Sequence, residues 1–431
     1  MLLEFRVKNF RSFRDENVLS LVASGDKTLK ETNVADVGIR SLPGILRTSG
    51  IYGPNAGGKS NLVRAIAIMR AIVLQSASLQ PGQPLNVQPF MLDSSLQGEP
   101  SEFEVTFLRE GIRYQFGFSL TSERITSEWL IVYKTAQPQG WYERKYDQET
   151  KQDVYKFGSH FQGQRRVWQS STRPNALFLS TAIQLNSDQL KPVFSWFTNE
   201  NLIILEGAGI PFIEGVPPLD FTIKLIERGD STSNAITKFL LGADTGISRI
   251  EIVKEKGLKQ EFKMDATGKF EAIREEADVY IPKFVHSTSK GEAWFNLGDL
   301  SEGTQRLFAL AGLLFHILRS GSIMFVDELD RSLHALMVHQ LVRMFQNPRL
   351  NSGGAQLFFT THDTSLLSAN LLRRDQIWLV EKDVDQASKL LPLSEFAPRK
   401  HEALERGYLF GRYGAIPILE SLKGEPNGEE F

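Results

Sequence analysis

The chain has 431 residues, 41% of them hydrophobic and 23% charged, with a net charge of −2 at pH 7. That length and apolar content suit two or three domains around a sizeable core; no apolar run nears the roughly 18 residues of a membrane span, and the balanced charge carries no global signal for nucleic acid. The complete absence of cysteine excludes disulfides, thiolate zinc sites and cysteine nucleophiles, and together with an N-terminus that lacks a signal-peptide core it fits a cytoplasmic protein.

In chain order, alternation of Leu3, Phe5 and Val7, then Phe10 and Phe13, then Val18, Leu19 and Leu21 predicts two opening strands. Residues 25–44 read as irregular. Ile45–Tyr52 can supply a short strand and Asn61–Leu74 an apolar-periodic helix. Between them lies Gly53-Pro54-Asn55-Ala56-Gly57-Gly58-Lys59-Ser60, a complete Gly-x-x-x-x-Gly-Lys-Ser/Thr phosphate loop. Such glycines let successive backbone N–H groups turn toward a phosphate, with Lys59 reaching the terminal phosphates and the Ser60 hydroxyl placed for Mg²⁺. The helix that follows points its positive end at the same place. Gly53, Asn55, Gly57, Gly58, Lys59, Ser60 and Asn61 are therefore the candidate ATP-binding residues.

Ser76–Pro100 reads as loop, and a β-meander is expected over Phe103–Leu108, Arg113–Leu120, Glu128–Lys134 and Tyr142–Tyr146. After the short apolar segment Ala176–Ser180 a helix is expected at Asp188–Phe197, a strand at Ile203–Leu205 and a helix at Ser233–Leu241. Ile247–Val253 with Gln260–Met264 reads as a hairpin. A strong helical pattern covers Glu302–Leu318, followed by the all-apolar strand Ile323–Val326, a helix at Leu333–Phe345, and strands at Gln356–Thr360 and Ile377–Val380. The tail after Leu422 is expected to be disordered, and no repeat or sustained heptad pattern is visible.

Three short signals follow the phosphate loop. Ile323-Met324-Phe325-Val326-Asp327-Glu328 is a buried-type strand that ends in two acids, with Asp327 suited to Mg²⁺ and Glu328 to polarising the attacking water. Ser301-Glu302-Gly303-Thr304-Gln305 opens the helix about 26 residues before Asp327, in an anion-binding geometry. Thr360-Thr361-His362-Asp363 closes the next strand, and His362 there can reach a γ-phosphate. Local basic groups (Arg165-Arg166, Lys254-Lys256-Lys259, Arg373-Arg374) leave direct DNA contact open beside the reading of scattered surface charge. Glu381, Asp383 and Asp385 faintly resemble the opening of a Toprim nuclease, but too little chain follows to complete that domain.

Phosphate loop, Ser-x-Gly-x-Gln, hydrophobic-Asp-Glu and strand-end histidine, in that order, resemble ABC-type ATPases. The opening Phe5-Arg6-Val7-Lys8-Asn9-Phe10-Arg11-Ser12-Phe13, the run Asp327–His334 and Gly407–Pro417 place the likeness in the RecF/SMC-like AAA group without long coiled coil. The chain is similar there to the ATPase parts of overcoming-lysogenisation-defect and Septu-type proteins of bacterial anti-phage loci.

The resemblance implies an α/β fold, an ABC-type P-loop ATPase head with mixed central sheet, antiparallel β-subdomain and inserted helical lobe. The expected divisions are 1–185, 186–290 and 291–422, with 423–431 as tail. It also implies a composite ATP site. Ser301 and Gly303 would contact the γ-phosphate bound by a second copy, and Ser332–His334 would cross the dimer interface. His362 would be the switch histidine, and Arg11 and Ser12 would lie beside base or ribose. Gln184 is the candidate glutamine linking Mg²⁺ to the helical lobe, with Gln88 and Gln189 as competitors. Glu302 and Thr304 depart from the transporter pattern Leu-Ser-Gly-Gly-Gln, which puts the role of Gln305 in doubt. The implied function is an ATPase serving as sensor or regulatory subunit of an anti-phage or toxin–antitoxin-like system, acting on an effector such as a nuclease or toxin. The alternative is a DNA-repair or DNA-organising ATPase that binds DNA itself.

Overall fold

The computed structural model describes residues 1–39, 42–198, 200–205, 217–243, 245–264, 270–398 and 403–417; over 258–264 and 270–277 it describes the backbone alone. The disordered tail expected from 423 lies outside the described residues.

A six-stranded central sheet runs in the order Leu202–Leu205, Ile323–Val326, Gln356–Thr360, Thr48–Tyr52, Ile377–Lys382, Ser388–Pro392. The first five strands are parallel and the last is antiparallel, so the sheet is mixed. Ile323–Val326 is buried at every position, as a strand covered on both faces must be. Ile323 and Phe325 join one core with Phe358 and the helix Lys59–Gln75; Met324 and Val326 join a second core with Leu357, Phe359 and the helix Glu302–Ser320. Period-two side-chain alternation thus seats one helix on each face.

The meander is larger than the sequence predicts. Gln152–Phe157 adds a fifth hairpin-connected strand, and the opening strands Leu2–Lys8 and Asn17–Ser20 complete a seven-stranded antiparallel sheet. This sheet shares the first core with the phosphate-loop helix. A buried polar group locks the junction. Glu128, in the strand Ile125–Tyr133, accepts the N–H groups of Phe178 (2.6 Å) and Leu179 (2.9 Å), capping the helix Phe178–Gln184. Burial pushes the Glu128 carboxyl up, while Arg144, those N–H groups and the Tyr142 hydroxyl favour its charged form. The Arg144 guanidinium sits 4.0 Å from Glu128 and bonds Asp153 at 2.8 Å, and both Arg144 and Glu128 are fully buried. Arg144→Met is expected to cost about 3–5 kcal/mol, because it leaves an uncompensated buried charge. Denaturant titration reads this directly; a loss below about 1 kcal/mol would show that the arginine is dispensable there.

Several elements differ from expectation. Ile247–Val253 and Gln260–Met264 do not pair with each other. Residues 249–253 and 260–264 fall within one strand, Arg249–Met264, which runs straight through Gly257 and pairs with Phe270–Thr288. With Gly291–Asn296 they form a three-stranded arm that leads into Ser301. The expected helix Asp188–Phe197 is Lys191–Trp196, begun by Pro192 in its first turn. Helix Leu333–Phe345 is Ala335–Gln346, because the His334 ring caps it by accepting the Leu336 N–H at 3.2 Å. The irregular stretch 25–44 holds a short helix, Lys30–Asn33, and the strand Val34–Ala35.

Candidate nucleotide-binding site

The phosphate loop leaves the central strand Thr48–Tyr52 at its C-terminal end, where parallel sheets gather ligands. Gly53 has φ +153°, and a Cβ there would stand 2.2 Å from the Val380 carbonyl oxygen; only glycine fits between loop and neighbouring strand. Gly57 and Gly58 are buried behind it, while Asn55 is exposed at the tip. The Lys59 ammonium folds back to donate to the carbonyls of Gly53 (2.8 Å) and Pro54 (3.0 Å). Burial lowers its pKa, against the pull of Asp327, Glu328 and Asp330.

Two strand ends and the first turn of the helix Lys59–Gln75 converge on Asp327. Its Oδ1 accepts from the Ser60 hydroxyl at 3.1 Å and from the Thr360 hydroxyl at 2.7 Å. The Thr360 Oγ1 in turn accepts the Glu328 N–H at 2.8 Å. Glu328 has φ +56°, a left-handed conformation that aims its half-exposed side chain out of the sheet end, 3.8 Å from Arg331. Thr360 and Asp330 were not singled out by sequence reasoning. The signal for Thr360 was its place at the end of the strand beside Ile323–Val326.

Ser12 lies against the loop, accepting from the Asn61 side-chain amide at 2.8 Å. Arg11 is next to it, with φ +50°, its N–H bonded to the Gln88 carbonyl at 2.9 Å and its guanidinium over Phe10. His362 is exposed, and its N–H approaches Asp330 at 3.4 Å.

Gln184 is not brought to the site, which corrects the sequence expectation. Its amide donates to Ser78 at 3.3 Å, beyond the C-terminal end of the helix Lys59–Gln75. Ser60 sits at the other end of that helix, about 22 Å away at 1.5 Å per residue. Gln189 is also engaged elsewhere, with His160 and Gln162. Of the three glutamines weighed, Gln88 is the one placed beside Arg11.

The Ser301–Gly303 turn packs on the loop that follows Glu328. Ser301 caps its helix by accepting the Thr304 N–H at 3.2 Å. The Gln305 amide turns back to the Leu300 carbonyl at 2.8 Å. Gly303 packs so closely on the loop 328–334 that a Cβ would lie 2.6 Å from the Ser332 carbonyl oxygen. Among the described residues no hydrogen bond joins Ser301 or Gly303 to the phosphate loop of the same chain.

The groups singled out for other chemistries are differently engaged. Arg373 is fully buried on Asp375, and Arg374 pairs with Asp26 at 2.6 Å, so neither is a free contact for DNA. Asp383 and Asp385 both receive the Arg14 guanidinium, at 3.1 and 2.8 Å. Among the described residues no helix is long and apolar enough to cross a membrane.

The family described as "AAA domain, putative AbiEii toxin, Type IV TA system" matches residues 49–368. Among solved structures, the SMC head domain from Thermotoga maritima is 15% identical with a TM-score of 0.40, covering 91% of this chain and 98% of that one. An Smc head domain with an extended coiled coil, bound to the C-terminal domain of ScpA and derived from Pyrococcus furiosus, is 13% identical with a TM-score of 0.41, covering 91% and 97%. No curated protein matches the chain.

Proposed function

The chain belongs to this AAA-domain family, and from that premise we propose that it binds and hydrolyses ATP with Mg²⁺ in a site shared between two copies. The observation that carries the proposal is the Ser60–Asp327 hydrogen bond, which joins the phosphate loop to the acid-ended strand. A hydroxyl and a carboxylate are hard oxygen donors of the kind Mg²⁺ takes, together with phosphate oxygens and waters. Ser60 and Asp327 would hold the ion, and bound Mg²⁺ would neutralise phosphate charge. Lys59 exchanges its two loop carbonyls for the terminal phosphates. Glu328 orients the attacking water and accepts its proton, and His362 faces the γ-phosphate. Of the glutamines weighed, Gln88, whose carbonyl accepts the Arg11 N–H, remains the candidate for the metal-linked role.

Ser301 and Gly303 would supply their N–H and hydroxyl donors to ATP held by a second copy, with Ser332–His334 crossing between them. Among the described residues neither makes a hydrogen bond to the phosphate loop of its own chain, which leaves their donors available for this arrangement. ATP is then an interfacial ligand, and the closed and open dimer is the output that a partner reads. The partner fitting this reading is an effector such as a nuclease or toxin in a defence or toxin–antitoxin-like system. The printed description of the family supports that setting.

Phosphate release from ATP by the purified chain, with and without Mg²⁺, tests the enzyme; absence of nucleotide binding would end the proposal. Copurification with the product of the adjacent reading frame tests the setting. A nuclease or toxin supports it, and a membrane permease would contradict it.

A further inference from the structure

We infer that Thr360 is a positioning residue that ties metal binding to alignment of the catalytic carboxylate; this rests on the ATPase reading above. The side chain is fully buried at the end of the strand Gln356–Thr360. A threonine hydroxyl has one proton, and here it is committed to Asp327 Oδ1 at 2.7 Å. That leaves the Oγ1 lone pairs to accept the Glu328 N–H at 2.8 Å. The Thr360 carbonyl accepts the next N–H along, that of Leu329, at 3.0 Å. Two bonds from one residue therefore close the turn that puts Glu328 at φ +56°. Such a conformation persists for a non-glycine residue only when its surroundings impose it.

The same short segment reaches the other two parts of the site. The Thr361 N–H bonds the Ile51 carbonyl at 3.2 Å, two residues before Gly53, and His362 follows directly. Asp327 shares its Oδ1 between the Ser60 and Thr360 hydroxyls, so the orientation of this carboxylate sets the direction of the Thr360 hydroxyl, whose oxygen accepts the Glu328 N–H. One hydroxyl thus links the metal acid, the water-orienting acid and the strand that carries the histidine. Partners of this kind set ligand orientation at metal sites.

Thr360→Val keeps the volume and removes the hydroxyl; Thr360→Ser keeps the hydroxyl and removes the methyl. Binding of a fluorescent ATP analogue and phosphate release are followed as Mg²⁺ is titrated. For Thr360→Val, the Mg²⁺ needed for half-maximal nucleotide binding should rise about 10- to 100-fold. Its Mg²⁺-free binding should stay within about threefold of wild type, and kcat should fall at least about tenfold with KM within about threefold. Thr360→Ser should restore both. Wild-type Mg²⁺ dependence and kcat in Thr360→Val would overturn the inference, as would a serine variant as impaired as the valine one. Should the valine protein not fold, Thr360→Cys takes its place under the same criteria. Wild-type turnover separates the two readings: its absence defeats the ATPase proposal, and the Mg²⁺ dependence of binding still tests the role of Thr360.

Discussion

Glu328→Gln is expected to lower steady-state turnover by about 10²- to 10⁴-fold, the range for loss of a general base, while ATP stays bound. The amide has the size and shape of the carboxylate. The N–H of residue 328 still meets Thr360, so the turn at φ +56° is kept. What disappears is the negative charge proposed to accept a proton from water. The side chain is half exposed beside Arg331, so the substitution leaves no buried polar group orphaned and the fold should melt as wild type does. With hydrolysis blocked, the closed dimer should accumulate. Unchanged turnover would remove Glu328 from the chemistry.

Lys59→Ala should weaken ATP binding at least about 100-fold, corresponding to roughly 2.7 kcal/mol. Lys59 as a residue is 6% exposed, in surroundings that already disfavour its charge, with Asp327, Glu328 and Asp330 offsetting part of that cost. A triphosphate supplies a stronger counter-charge than the Gly53 and Pro54 carbonyls do, so the lysine is expected to transfer to the ligand. Alanine suits the first turn of a helix, which separates loss of binding from loss of folding in a thermal melt. Retained affinity in calorimetry would remove the starting premise of the site.

What the sequence made legible was local. Gly53–Ser60 needs only its own residues, since glycine spacing and the flanking strand and helix define it. Ile323–Val326 was readable because an unbroken apolar run before two acids describes a strand buried on both faces. Thr360 was not readable as part of the site, because its contacts with Asp327 and Glu328 depend on strand register: Val326 lies opposite Phe359, which sets Thr360 level with the acids. Gln184 failed for the same reason. A glutamine in a short helix carries no sign of which end of the helix Lys59–Gln75 it will meet. The hairpin expected at 247–264 is not formed because the strand pairs with residues further along the chain: Gly257 is an ordinary strand position opposite Ala277.

If Ser301 and Gly303 act on ATP held by another chain, as proposed above, a second copy completes the site. Sedimentation of Glu328→Gln protein with and without ATP and Mg²⁺ tests it most directly. One chain is expected without nucleotide and two chains with it, at one ATP bound per chain. Full ATP occupancy with the mass of a single chain would contradict it.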